Sequence, residues 1–230
     1  MLFLKVVFVL VASAALAFAD SVTFHGPFPP NDGSVNGSHL DFDIQDAILA
    51  QPAAPGGDWT LTIHTNYGVG LTGQGENAVP DWRSYAVGDF LISWNGGFYG
   101  VVLHGHNGYS AGNLYQAGGY QTAREATGTP TYPDTTPPVW LDPGGVLLGG
   151  GTISSAMYGD GAIKAESVIV DVFHAPAGFL ASGPFTVGFA SATCGNGVLS
   201  GGGQFVPEAD MLWLLVPGLL IAGRRLTRSA

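Results

Sequence analysis

The pair of residues best spaced for metal chemistry is His104-Gly105-His106. Side chains two apart on a strand share a face, and two imidazoles supply nitrogen ligands that suit zinc or copper. A site needs a third and usually a fourth ligand, and the neighbourhood adds only Asn107. A strand end running into a Gly-rich loop accounts for the same residues. His25, His39, His64 and His174 are scattered, with no H-E-x-x-H spacing. Oxygen donors gather in Asn31-Asp32-Gly33-Ser34-Val35-Asn36-Gly37-Ser38 and continue at Asp41, Asp43 and Asp46. Such donors suit a hard cation, so Asp32, Asp41 and Asp43 are the candidate ligands for calcium. The closing glutamate of an EF-hand is missing, and an acidic loop beside a wet strand face explains the residues without metal. The expectation is a chain with no resident cofactor, Ca²⁺ being the one ion its loops could take.

Catalytic patterns are wanting. Carboxylates for glycoside hydrolysis would have to come from acidic residues dispersed along the chain, whose separation in space no spacing reveals. No Walker loop is present, and the abundant Gly pairs fall in turn contexts. Cys194 is the sole cysteine, so no disulfide can form within the chain, and burial as a small hydrophobe is the expectation for it. Aromatic residues offer a binding chemistry instead. Trp82, Tyr85, Trp94, Phe98, Tyr99, Tyr109, Tyr115, Tyr120, Tyr132 and Trp140 concentrate in the central third. Exposed rings stack on sugar faces, and Trp82, Trp94, Tyr99 and Tyr109 are the candidate glycan contacts, although core filling accounts for most rings of this kind.

The elements that must position these residues read as strands. Glycine, at 36 of 230 residues, is about twice its usual share, and charged residues are few. Leu40-Asp41-Phe42-Asp43-Ile44 and Trp59-Thr60-Leu61-Thr62-Ile63-His64-Thr65 alternate apolar with polar, as half-buried strands do. Between them, the segment from Gln51 to Asp58 carries Pro52, Pro55, Gly56 and Gly57 and is expected as a surface hairpin loop. Asp89 to Trp94, Asn95-Gly96-Gly97, then Phe98 to His104 is the clearest hairpin, since Asn-Gly supplies the positive φ angles of a type I′ turn. Gly112 to Tyr120 is a further strand interrupted by glycine, and the four prolines between Gly128 and Pro138 mark a crossing loop. Val139 to Leu141, Val146 to Tyr158, Ala165 to His174, Pro184 to Ala192 and Val198 to Val206 supply the remaining strands. About ten strands at short spacing predict an all-β, antiparallel β-sandwich or jelly-roll-like single domain over residues 20–205.

Both ends of that domain carry addresses. Lys5 precedes an apolar stretch from Val6 to Leu16, and Ala17-Phe18-Ala19 is the small-x-small pattern that signal peptidase reads, so residues 1–19 are expected as a signal peptide and Asp20 as the mature start. Residues 206–230 form a tail of a polar turn, an apolar run over 211–223 and a basic end with Arg224, Arg225 and Arg228. As a helix the run covers about 20 Å, short of the ~30 Å hydrocarbon core. Basic residues beside a span stay cytoplasmic, which leaves the body outside after transient insertion in the inner membrane. Between the two ends Arg83, Arg124 and Lys164 face fifteen Asp and Glu, so nucleic acid and anionic lipid are poor partners.

The tail resembles the bacterial PEP-CTERM sorting signal. Its sorting residues are Val206, Pro207, Glu208 and Ala209 with Arg224, Arg225 and Arg228, and its triplet has alanine where the pattern has a second proline. The body also resembles exported PEP-CTERM proteins with β-sandwich ectodomains. The matching stretches are Gly88-Asp89-Phe90-Leu91 with Tyr99-Gly100-Val101-Val102-Leu103, Ala111-Gly112-Asn113-Leu114-Tyr115, and Phe189 to Gly197, where Gly197 stands in place of an aspartate. The resemblance implies export, recognition by an exosortase-type sorting enzyme, and residence at the cell surface or in the extracellular matrix. It implies no reaction. The expected function is that of a non-enzymatic exported surface protein, with an exopolysaccharide-binding module and a secreted glycosidase on a jelly-roll scaffold as the alternatives.

Overall fold

A computed structural model describes residues 20–26, 44–54, 56–65, 87–122, 125–126, 137–158, 166–190 and 198–205. Asp32, Asp41, Asp43, Trp82, Cys194, the signal peptide and the sorting tail lie outside the described residues. Thirteen strands are present among those described, and every pairing between them is antiparallel. The all-β sandwich expected from the sequence is the fold observed.

The first sheet contains β1 (Ser21–His25), β2 (Ile44–Ala50), β3 (Trp59–Thr65), β11 (Glu166–Phe173) and β10 (Gly151–Tyr158), in that spatial order. The second orders β13 (Leu199–Gly203), β12 (Phe185–Phe189), β4 (Phe90–Trp94), β5 (Gly97–Val101), β6 (Leu114–Ala117) and β9 (Val146–Gly149). In β3 the alternation read from the sequence is literal: Trp59, Leu61, Ile63 and Thr65 point inward while Thr60, Thr62 and His64 point out. Their inner faces meet Phe90, Ile92, Phe173, Phe185 and Phe189 to form the main core.

A third layer was not anticipated. Strands β7 (Tyr120–Thr122) and β8 (Pro138–Leu141) pair as a ribbon that lies on the outer face of the second sheet. Leu141 and Tyr120 there join Leu91, Val102, Tyr109 and Tyr115 in a second apolar cluster. This is why Phe90-Leu91-Ile92 is apolar without alternation, since both faces of β4 are covered. Two other expectations are corrected in detail. Val146 to Tyr158 is not one strand: β9 and β10 part at Gly150 and enter different sheets. The strand expected over residues 40–44 lies, apart from Ile44, outside the described residues, and β2 is described from Ile44 to Ala50. The hairpin turn takes two residues, Asn95 (φ 49°) and Gly96 (φ 73°), and Gly97 opens β5.

Along the β1–β13 side the two sheets end together at two unlike poles, while on the far side Gly149 and Gly151 turn a corner that brings the Leu114 end of the second sheet against the Phe173 end of the first. At one of them lie Ser21, Ala50, Trp59, Phe173 and Gly203, together with the Asn95-Gly96 turn, all joined by register or ring contact. At the other lie His25, Ile44, Thr65, Glu166, Phe90 and Leu199. The described strand ends that flank 27–43, 66–86, 159–165 and 191–197 all lie at that second pole.

Gly88 shows how tightly the second pole is tied. A Cβ on Gly88 would sit 2.1 Å from the Ala190 carbonyl oxygen, whose backbone cannot yield. Gly88→Ala is therefore expected to lower stability by roughly 1–3 kcal/mol. Gly118→Ala, where a Cβ meets nothing within 4 Å, is expected to be near neutral. Urea denaturation of the two variants side by side checks the contrast.

Candidate functional site

The most developed polar arrangement among the described residues lies at the second pole, just before β4. The Gly88 N–H donates to Ala190 O (3.1 Å) and the Asp89 N–H to Val139 O (2.8 Å), wedging the chain between β12 and β8. This turns the Asp89 carboxylate inward. Leu141 N–H donates to its Oδ2 at 2.9 Å, and His106 Nε2 lies 2.9 Å from both oxygens. The His106 ring stacks flat on Trp140 at 4.2 Å and meets the edge of Tyr109 at 5.6 Å. Trp140 is held in turn by its Nε1–H donating to Val87 O. The Tyr109 hydroxyl donates to Asp142 O and accepts from Gly145 N–H.

Here the histidine expectation changes. β5 ends at Val101, so His104 and His106 sit in a loop and not on a strand, and His106 turns to a carboxylate. Among the described residues no three His, Cys, Asp or Glu side chains converge as a metal-binding group. The side chains of His106 and Asp89 are 4% and 0% exposed, so the pair is closed to any substrate. Burial pushes the Asp89 carboxyl up, while His106 and the amides of Leu141 and Leu103 oppose that shift. The arrangement acts as a clasp, in which one carboxylate ties the loop after β5 to the ribbon and to the start of β4. A buried pair of this kind is strongly destabilising to break, because the survivor is left without its partner.

The remaining His–carboxylate pairs are of another kind. His64 Nδ1 lies 2.5 Å from Asp46 Oδ1 across β3 and β2, on the outer face of the first sheet. His174 and Asp58 stand 3.4 Å apart near the first pole, both well exposed. Exposed pairs contribute little.

The aromatic candidates are largely committed to packing. Tyr109 is 7% exposed with its hydroxyl engaged on both sides, so it offers no face to a sugar. Trp94 donates from Nε1 to Ser182 O (2.7 Å) and packs on Tyr99 and Phe179, and Tyr99 packs on Phe179 as well. Phe98, set edge-on to Tyr120, is the more exposed ring.

Two buried carboxylates were not singled out from the sequence. Asp89 carried no signal beyond its place in the resemblance. Asp171 did carry one, because it falls in the same period-two phase as Ile169 and Phe173 and so must point inward. It lies in register between Leu61 of β3 and Ile153 of β10, and neither of its oxygens finds a hydrogen-bond partner among the described residues. Burial pushes it up to about 8, the nearby Val172 amide offsetting part of the shift.

Compared with family models, curated proteins and solved structures, the chain matches none.

Two outcomes follow from these groups. His106→Ala is expected to cost about 3–5 kcal/mol, since it leaves the Asp89 carboxylate buried without its partner, and denaturant melts measure the loss. Asp171 ionises near 3.8 when unfolded and near 8 when folded, so the folded state holds the extra proton between those values. Its contribution to stability is full below about pH 3.8 and is lost as pH rises toward 8. Asp171→Asn is therefore expected to exceed the parent in stability at pH 8 by a few kcal/mol, order of magnitude, with the gap closing toward pH 4 in paired melts.

Proposed function

We propose that this chain is an exported, non-enzymatic β-sandwich protein, sorted through its C-terminal tail by an exosortase-type system to the cell surface or the extracellular matrix. Signal peptidase removes residues 1–19, the 211–223 segment inserts transiently in the inner membrane, and the body faces outward.

The observation that carries this reading is where the body begins and ends. β1 starts at Ser21, two residues past the Ala19 cleavage position. Asp20 O accepts from Gln51 N–H at 2.8 Å, so the mature end is already tied to the sheet. At the other end Phe205 is 1% exposed, stacked on Phe185 and edge-on to Trp59, one residue before the tail. Both ends leave at the same pole: Val22 and Gly203 are neighbours there, a Cβ on Gly203 falling 3.1 Å from the Val22 side chain. A body held at the membrane by either end, or by both at once during export, therefore stands on one pole. The opposite pole, with the Asp89–His106 pair, then faces away.

In this reading the closed Asp89–His106 pair is structural. Intact-mass analysis of protein recovered from the cell surface is expected to give chains that start at Asp20 and lack residues from Met211 onward. Recovery of every molecule with the tail attached would overturn it.

A further inference from the structure

At the pole where both ends emerge, a recess of about 280 Å³ opens between the 51–57 loop and the 175–181 loop. Trp59 lines it, with Gln51, Pro52, Ala54, Pro176 and Phe179 around it, and no described lining residue is charged. We propose that this recess is the seat of Val206 and Pro207, the two residues that follow Phe205, so that the sandwich grips its own exit segment before the charged part of the tail begins.

Position is the first support. The Phe205 ring meets Trp59 edge-on at 5.4 Å, and Trp59 is part of the recess wall. Two extended residues reach about 7 Å, so Val206 and Pro207 leave the core within reach of the rim. Charge is the second. The chain carries a formal net charge of −10, yet the recess is lined without charge. It therefore accepts the uncharged Val-Pro pair and leaves Glu208 and Asp210 in water. Conformation is the third. Proline restricts the residue before it to extended backbone, so Val206 is already shaped to lie along a groove and little further ordering is needed. Tethering raises the local concentration of the segment further. The recess falls just below the ~300–1,000 Å³ of small-molecule pockets, and none of its described lining residues is basic or a large exposed apolar side chain of the kind that would favour a lipid surface.

Seating would hold the Pro207-Glu208 bond at a fixed distance from the body. The seat is a property of the body and exists whether or not the tail is later cut, so its test is independent of the mass analysis above.

The test uses the full-length chain in detergent with Cys194→Ser to remove the native thiol. Ala177→Cys on the rim is combined with Val206→Cys, or with Ser200→Cys, exposed toward the far end of β13, as a control. The first pair is expected to close an intramolecular disulfide at least tenfold faster than the second under mild oxidant. Equal rates would overturn the proposal, and so would a product with the mass of two chains, which would make a second copy the occupant. Independently, Ala177→Trp, which fills the recess, is expected to speed amide exchange at Val206, the one seated residue with an N–H, at least tenfold with an unchanged melting temperature. Unchanged exchange at that amide would likewise overturn it.

Discussion

Trp59 is the residue on which the closure of this sandwich depends. It opens β3, and its ring lies 6.4 Å from Phe173 at the end of β11, 5.4 Å from Phe179 in the following loop and 5.4 Å from Phe205 at the end of the body. Phe205 in turn stacks on Phe185 of β12, and Phe179 meets Trp94 and Tyr99 of the second sheet. A chain with one cysteine cannot staple its sheets together, and with so few charges in its body it has little scope for ion pairs. Aromatic edges and faces carry that task, each adding somewhat to the area it buries. Loss of the indole would release the Phe179 loop and the last core residue together, because both rest on it.

The two poles divide the labour of the fold. Around Trp59 the connections are tight and the rings interlock. At the opposite pole a single buried carboxylate does the tying, drawing the loop after β5, the start of β4 and the outer ribbon onto one point. Four stretches that carried the resemblance come together there: Gly88-Asp89, the end of β5 at Val102, Gly112-Asn113 bonded to Val102, and Ala190 bonded to Gly88. Their convergence gives a physical reason for those residue types. Each stretch supplies the backbone or small side chain that another needs in order to approach.

Local pattern made much of this legible. The alternation of β3, the Asn95-Gly96 turn and the loop from Gln51 to Asp58 are decided within a few residues, by side-chain phase and by turn chemistry. The inward phase of Asp171 was equally local. What escaped depended on distant partners. Val146 to Tyr158 reads as one strand because nothing nearby says that its halves pair with β6 and β11. The ribbon is invisible until β8 lies over Leu91, and the Asp89–His106 pair depends on Leu141, 52 residues further on. Ser21 to His25 shows its strand character only against β2, from which residues 26–43 separate it.

One consequence concerns force. Any pull on the chain beyond Phe205 reaches the sandwich through β13, an edge strand with three glycines among its five residues. Those glycines are there for fit, since side chains at Gly201 and Gly203 would strike the rings of Phe24 and Phe185. They leave the strand intrinsically weak. Yet β13 runs toward the pole from which it would be pulled, and its hydrogen bonds to β12 lie across that direction. Tension along the strand therefore shears all five residue pairs at once and does not peel them one after another. With the Phe205 ring as a knot at the exit, a frail strand becomes a serviceable tether.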